Sequence, residues 1–91
     1  MKLDLNKIQE IYGDSSIYEI KNHMDQVVDN MNYLLSLGFN DVYNIVENDP
    51  YMFLYDKKEF INKIDKLINK LGVEYIEKLE EDFSLWGEIY D

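Results

Sequence analysis

The sequence predicts an all-α fold, a compact bundle of about five helices in a single domain spanning residues 1–91. Three observations carry this. Apolar residues recur in steps of three and four, which places them on one face of a helix. Most periodic stretches open on a residue whose side chain can cap a helix, and several end on glycine. No run alternates apolar and polar residues, and no turn dipeptide joins two such runs, so strands are not expected.

The elements follow in order. Asp4 is placed to cap a short helix through Tyr12, with Leu5, Ile8, Ile11 and Tyr12 on one face and Gly13 as its stop. Ser16-x-x-Glu19 has the form of a capping box, in which two side chains reciprocally satisfy two free N–H groups. It predicts a long second helix ending at Gly38. Its apolar stripe is Ile17, Ile20, Met24, Val27, Val28, Met31, Leu34 and Leu35. Asn40 or Asp41 starts a third, short helix carrying Val42, Ile45 and Val46. Asp49-Pro50 reads as cap plus first helical residue, where the missing N–H of proline costs nothing, and Tyr51 to Tyr55 makes one tight turn. Asp56-x-x-Glu59 is a second capping box; it opens a helix with Phe60, Ile61, Ile64, Leu67, Ile68 and Leu71, closed by Gly72. Residues 74–81 form another short helix around Ile76 and Leu79, and the tail holds Phe83, Leu85, Trp86, Ile89 and Tyr90.

The chain echoes itself. Leu34-x-x-Leu37-Gly38-Phe39 returns as Ile68-x-x-Leu71-Gly72-Val73, 34 residues later, and Val42 and Ile45 map onto Ile76 and Leu79 at the same offset. Asp49 and its aromatic turn map loosely onto Asp82 and Phe83, one residue short. The repeating unit is long helix, glycine stop, short helix, aromatic turn, an αα-hairpin-like unit of a length typical of stacked helical repeats.

Pro50-Tyr51-Met52-Phe53-Leu54, followed by an apolar helix ending Leu67-x-x-x-Leu71-Gly72, resembles a repeat of the mitochondrial transcription termination factor family, over roughly residues 30–83. That family stacks many such repeats into a basic superhelix around nucleic acid. The resemblance implies helical hairpins. It also implies a nucleic-acid-binding alternative in which Lys57, Lys58, Lys63, Lys66 and Lys70 would contact phosphates. The second copy has Asp82-Phe83 where the family has proline.

Charge bears most on function. Nineteen carboxylates face nine lysines, there is no arginine, and the formal net charge is −10. Proteins that grip nucleic acid neutralise phosphates with Lys and Arg, so this chain repels a phosphate backbone at long range and attracts a basic protein surface. Residues 22–56 hold six acids and no lysine; residues 57–71 hold five lysines and two acids. Asp25 and Asp29, with Asn22 and Asn32, are expected on the face of the second helix opposite its apolar stripe. Glu74, Glu77 and Glu81 line one face of the fifth, with Glu80 beside them. Like charges at this spacing destabilise their own helix by about 0.2–0.5 kcal/mol per pair, which fits an interaction surface or a solvated face. The lysines of residues 57–70 are expected to pair with Glu59 and Asp65, four residues apart, or to face the acidic last helix, residues 74–81.

Catalytic and metal chemistry find no footing. Cysteine is absent, so there is no thiolate nucleophile, no disulfide framework and no thiolate zinc site, and reduced bacterial cytoplasm is the expected compartment. His23 is the one histidine, and zinc needs three or four converging ligands. The four serines lie outside any nucleophile-elbow pattern, and the four glycines are isolated. No apolar run approaches membrane-spanning length and the N-terminal residues show no apolar h-region, so no membrane association is expected. The expectation is no enzyme, no cofactor and no metal.

Eight Tyr, four Phe and one Trp are many for 91 residues. Phe39, Phe60 and Phe83 fall at core positions. Tyr51, Phe53 and Tyr55 cluster beside Asp49 and Asp56; Trp86 and Tyr90 cluster beside Glu88 and Asp91. Aromatics at the centre with acids at the rim suit a protein-binding patch, and they equally suit the sealed ends of a small bundle. The expected partner-binding residues are therefore Asp25, Asp29, Asp49, Tyr51, Phe53, Tyr55, Asp56, Glu74, Glu77, Glu81, Trp86 and Tyr90. The chain has the general character of small acidic phage anti-defence proteins of the anti-CRISPR type, or of immunity proteins and antitoxins. That character implies an inhibitor, monomer or homodimer, that occludes a basic nucleic-acid-handling protein by nucleic-acid mimicry, with no direct contact to nucleic acid. A structural or adaptor subunit is the remaining alternative.

Overall fold

A computed structural model of the chain describes residues 4–90. The described residues form six α-helices and two 3-10 segments without a strand: α1 (Leu5–Tyr12), α2 (Asp14–Asn22), α3 (Met24–Leu37), α4 (Val42–Asn48), a first 3-10 segment (Pro50–Leu54), α5 (Lys57–Leu71), α6 (Tyr75–Glu81) and a second 3-10 segment (Phe83–Tyr90). The all-α expectation holds, with one helix more than expected. The radius of gyration, 12.7 Å, is close to the roughly 12 Å of a compact chain of this length. One apolar cluster runs from Ile8 on α1 to Ile89 near the C-terminus.

The extra helix comes from the predicted long second helix, which is two. It starts earlier and breaks in the middle. Gly13 sits at φ +89°, a left-handed conformation that turns the chain, and α2 resumes at once with Asp14 in its first turn. Ser16 is therefore inside α2 rather than at its cap. Its hydroxyl is buried and donates to the Gly13 carbonyl at 2.8 Å, so the expected capping box is not formed. The break is at His23 (φ −122°, ψ 32°), whose N–H is shared between the Glu19 and Ile20 carbonyls. It lets the two halves face different neighbours: α2 packs on α1 and the first 3-10 segment, whereas α3 packs on α4, α5 and that segment. The apolar stripe accordingly splits. Ile20, Val27, Met31 and Leu34 are buried, while Val28 and Leu35 remain exposed.

Three of the other expected caps form, whereas Asp49, read as the cap of the 50–55 turn, makes no side-chain capping bond. The Asp4 carboxylate accepts from the Lys7 N–H at 3.0 Å, Asp41 from Asn44 at 3.1 Å, and Asp56 from Glu59 at 2.8 Å. Gly38 ends α3 in the left-handed region at φ +107°, and the Phe39 N–H returns to the Leu34 carbonyl at 3.3 Å. The element order repeats the internal echo. α3, Gly38, α4, Asp49 and a 3-10 segment are followed by α5, Gly72, α6, Asp82 and a 3-10 segment.

The first 3-10 segment is drawn into the core. Met52 and Phe53 are fully buried, and the Phe53 ring lies 5.4 Å from Phe60 of α5. Its backbone carbonyls would be stranded there without partners. Asn30, fully buried on α3, donates both amide hydrogens to them: to the Phe53 carbonyl at 3.0 Å and the Tyr55 carbonyl at 2.8 Å. Gln26, one turn earlier, donates to the Leu54 carbonyl between them.

Two stability predictions follow from this packing. Phe53→Ala should destabilise by about 3–5 kcal/mol through the cavity it leaves, whereas Tyr51→Ala, at an exposed position, should cost much less. Urea unfolding of both variants reads the difference directly. Asn30→Ala adds no bulk and leaves the Phe53 and Tyr55 carbonyls without the amide, and should cost about 1–3 kcal/mol. An unchanged unfolding midpoint would show that the amide is not what holds the segment.

Candidate protein-binding surfaces

The structure sorts the expected partner-binding residues into three groups. Phe53 (0% exposed) and Trp86 (4%) belong to the core. Their expected role as contact anchors is corrected: both rings are spent on packing, Phe53 against Phe60 and Trp86 against Phe39 at 5.4 Å. Asp25, Asp29, Asp56, Glu74, Glu77, Glu81, Tyr51 and Tyr90 are exposed. Asp49 and Tyr55 are half-buried. Asp91, expected beside Trp86 and Tyr90, lies outside the described residues.

Almost every described carboxylate faces solvent; only Glu47, Asp49 and Glu88 are partly covered. Few are paired. Among the described residues the ion pairs are Lys7–Glu47 at 3.3 Å, His23–Glu19 at 3.6 Å and Lys70–Glu88. The pair that α5 makes is thus with the C-terminal segment, Lys70 with Glu88, rather than with Glu59, Asp65 or the 74–81 helix. Lys63 instead donates to the Ile89 carbonyl at 3.2 Å and lies over the Tyr55 ring. Asp65 takes the Tyr33 hydroxyl at 2.6 Å rather than a lysine.

The two acidic faces differ in what accompanies the charge. Glu74, Glu77 and Glu81 sit on or at the start of α6, which packs on α5 and the second 3-10 segment. Asp25 and Asp29 sit on α3, and here the expected geometry needs amending. The outer face of α3 is not purely polar. Val28 is 43% exposed and Leu35 is 49% exposed, and both line a groove of about 320 Å³ with Leu5, Met24, Met31 and Tyr43. Asp25 lies one helical turn from Val28 and Asp29 one turn from the groove-lining Asn32. The two carboxylates lie on one side of this apolar face without lining the groove itself, in a stretch of chain that contains no lysine. Sequence periodicity placed Val28 and Leu35 in the core. The one signal against it was the excess of apolar residues over a single stripe, which gave two adjacent pairs, Val27-Val28 and Leu34-Leu35.

A second feature gathers aromatics that are far apart in sequence. The Tyr90 hydroxyl donates to the Asp49 carboxylate at 2.7 Å, and the Tyr90 ring lies 6.3 Å from Tyr55. Tyr12 of α1, read from sequence only as part of a helix face, packs edge-on against Tyr51 at 5.6 Å and donates to the Asn48 carbonyl. The two expected aromatic clusters are therefore one, arranged around Asp49. Burial raises the pKa of Tyr12 and Tyr90, and the Asp49 charge adds to the rise in both.

Among the described residues no three His, Asp or Glu side chains converge as a metal site, and no helix is long and apolar enough to cross a membrane. Comparison with protein families, with curated proteins and with solved structures finds no match.

The tyrosines give a pH prediction. Burial and then the hydrogen bond to Asp65 push the Tyr33 hydroxyl up to about 12 from its ordinary 10.0. The folded state therefore holds this proton more tightly than the unfolded state, and stability should be complete below pH 10 and fall as pH rises from about 10 towards 12. Ultraviolet titration of tyrosinate should show a late-ionising fraction, and Tyr33→Phe should shrink it. Titration of all tyrosines in one step at the ordinary value would contradict the geometry.

Proposed function

We propose that this chain is a small acidic binding protein that occludes a basic, nucleic-acid-handling protein, in the manner of anti-defence inhibitors, immunity proteins or antitoxins. The observation that supports it is the α3 groove. Exposed Val28 and Leu35 share α3 with Asp25 and Asp29, in a stretch of residues 22–56 that holds no lysine. Apolar centres with polar rims are how protein interfaces are built, and the carboxylates supply attraction for a basic surface. The two methionines, Met24 and Met31, adapt to the shape of what they meet. Carboxylates would stand where phosphates stand in the partner's natural ligand, and the bound chain would block that ligand's approach. The net charge of −10 would steer the encounter from a distance.

The lysine-bearing helix α5 offers less to nucleic acid. Lys63 and Lys70 are engaged with the chain's own C-terminal segment, and the overall field opposes a phosphate backbone.

The experiment is capture by tagged protein from a bacterial lysate, with nucleic acid digested, followed by washes of rising salt. A basic nuclease or nucleic-acid-binding effector should be retained at low salt and released at high salt. Asp25→Lys combined with Asp29→Lys should weaken its capture by about tenfold. Retention that ignores salt and both substitutions would overturn the mimicry. In a low-salt gel shift the protein should leave DNA and RNA unshifted; a shift abolished by neutralising Lys57, Lys58 and Lys66 would favour the termination-factor-like alternative.

A further inference from the structure

A cleft of about 490 Å³ opens between the end of α1, the end of α4 and the second 3-10 segment. Its walls carry Tyr12, Phe83, Trp86 and Tyr90, and among the described residues that line it Asp49 is the one ionised side chain, with no lysine. Lys63 is engaged with the Ile89 carbonyl and the Tyr55 ring. Asp49 receives the Tyr90 hydroxyl on one carboxylate oxygen, Oδ2. Its other oxygen takes no hydrogen bond from the described residues.

Aromatic faces carry negative electrostatic potential, and a carboxylate among them adds a full charge. Such a site is built for a cation. Between the two common protein cations, a flat guanidinium stacks on rings and offers several N–H donors to a carboxylate, while an ammonium is more strongly hydrated. We propose that this cleft receives an arginine side chain, with its guanidinium against the tyrosine rings and an N–H on the second oxygen of Asp49. The natural source is the basic partner of the function proposed above, and only the source rests on that reading. The cleft volume exceeds a single side chain, so it also admits part of the arginine's own backbone.

The probe is N-acetyl-arginine amide, with N-acetyl-citrulline amide as a neutral control of nearly the same shape. Binding is followed by the indole N–H signal of Trp86, the one tryptophan, in proton–nitrogen NMR. Arginine amide should shift that signal saturably, in the millimolar range, and citrulline amide should bind about tenfold more weakly or worse. Asp49→Asn should weaken arginine binding about tenfold. A Cβ at Gly87, on the cleft wall, would meet no protein atom within 4 Å. Gly87→Leu should therefore fold normally and obstruct the cleft, abolishing the shift. Absence of a saturable shift in the unmodified protein, or equal binding of citrulline, or indifference to both substitutions, would overturn the proposal. Loss of partner capture with arginine binding intact would count against the inhibitor reading alone. The reverse pattern would count against the cleft alone.

Discussion

A single buried amide organises this fold. The first 3-10 segment enters the core: Met52 and Phe53 are fully buried, the segment packs on α2, α3 and α4, and the Phe53 ring meets Phe60 of α5. A 3-10 turn of five residues cannot satisfy its own last carbonyls. Asn30 answers that need from the neighbouring helix by donating to the carbonyls on either side of Leu54, while Gln26 takes Leu54 itself. Three consecutive carbonyls are thus tied to two side chains one helical turn apart. The arrangement sets where Phe53 sits, hence where Phe60 and Tyr33 stack and how α5 lies along α3. Asn30 is a demanding choice for such a place, since its own side-chain oxygen is buried without a partner. Two hydrogen bonds made in a dry interior outweigh that one orphan, and an apolar substitute would leave two orphans in its stead.

The parts of the fold legible in sequence are those governed by local chemistry. Asp4, Asp41 and Asp56 cap as their positions predict, and Gly38 and Gly72 terminate helices at the expected residues. The repeat of helix, glycine, helix and aromatic turn survives into the order of elements because each part is specified within a few residues. What failed was decided at longer range. The Ser16–Glu19 spacing satisfies the capping-box pattern, yet Gly13 lets the helix restart two residues earlier. The break at His23 has no breaker residue; it exists because α2 and α3 pack on different elements. Phe53 and Trp86 looked like interface anchors because acids flank them in sequence. In space those acids stay at the surface while the rings turn inward.

The uneven distribution of charge has a consistent physical reading. Two lysines of α5, Lys63 and Lys70, are spent on the C-terminal segment, while Lys7 pairs with Glu47. Four aspartates serve as helix or turn caps, Asp4, Asp41, Asp56 and Asp82, which need only one oxygen and leave the charge facing solvent. Asp25 stands in the first turn of α3, where a negative charge is favoured, but neither it nor Asp29 caps a helix or joins an ion pair among the described residues. Their like charge one turn apart weakens α3 slightly, and solubility alone would not require them beside exposed valine and leucine. A groove that is apolar in its floor and flanked by carboxylates on one side has its proper complement in a cationic, partly apolar surface, which the chain itself lacks.

The two aspartates at equivalent points of the repeat show how one copy diverged from the other. Asp82 precedes the second 3-10 segment and is consumed by it, accepting from the Ser84 N–H at 3.0 Å and from the Ser84 hydroxyl at 2.5 Å. Asp49 precedes the first segment but makes no capping bond to it. Its carboxylate turns instead towards the other repeat and takes the Tyr90 hydroxyl. The end of one aromatic turn is thereby brought over the start of the other, and Tyr12 of α1 closes the third side. A residue that closes a local turn in one copy becomes, in the other, the charged group of an aromatic cleft. The internal symmetry of the chain supplies the two segments, and the tyrosine at the end of the second draws the aspartate of the first out of its local turn.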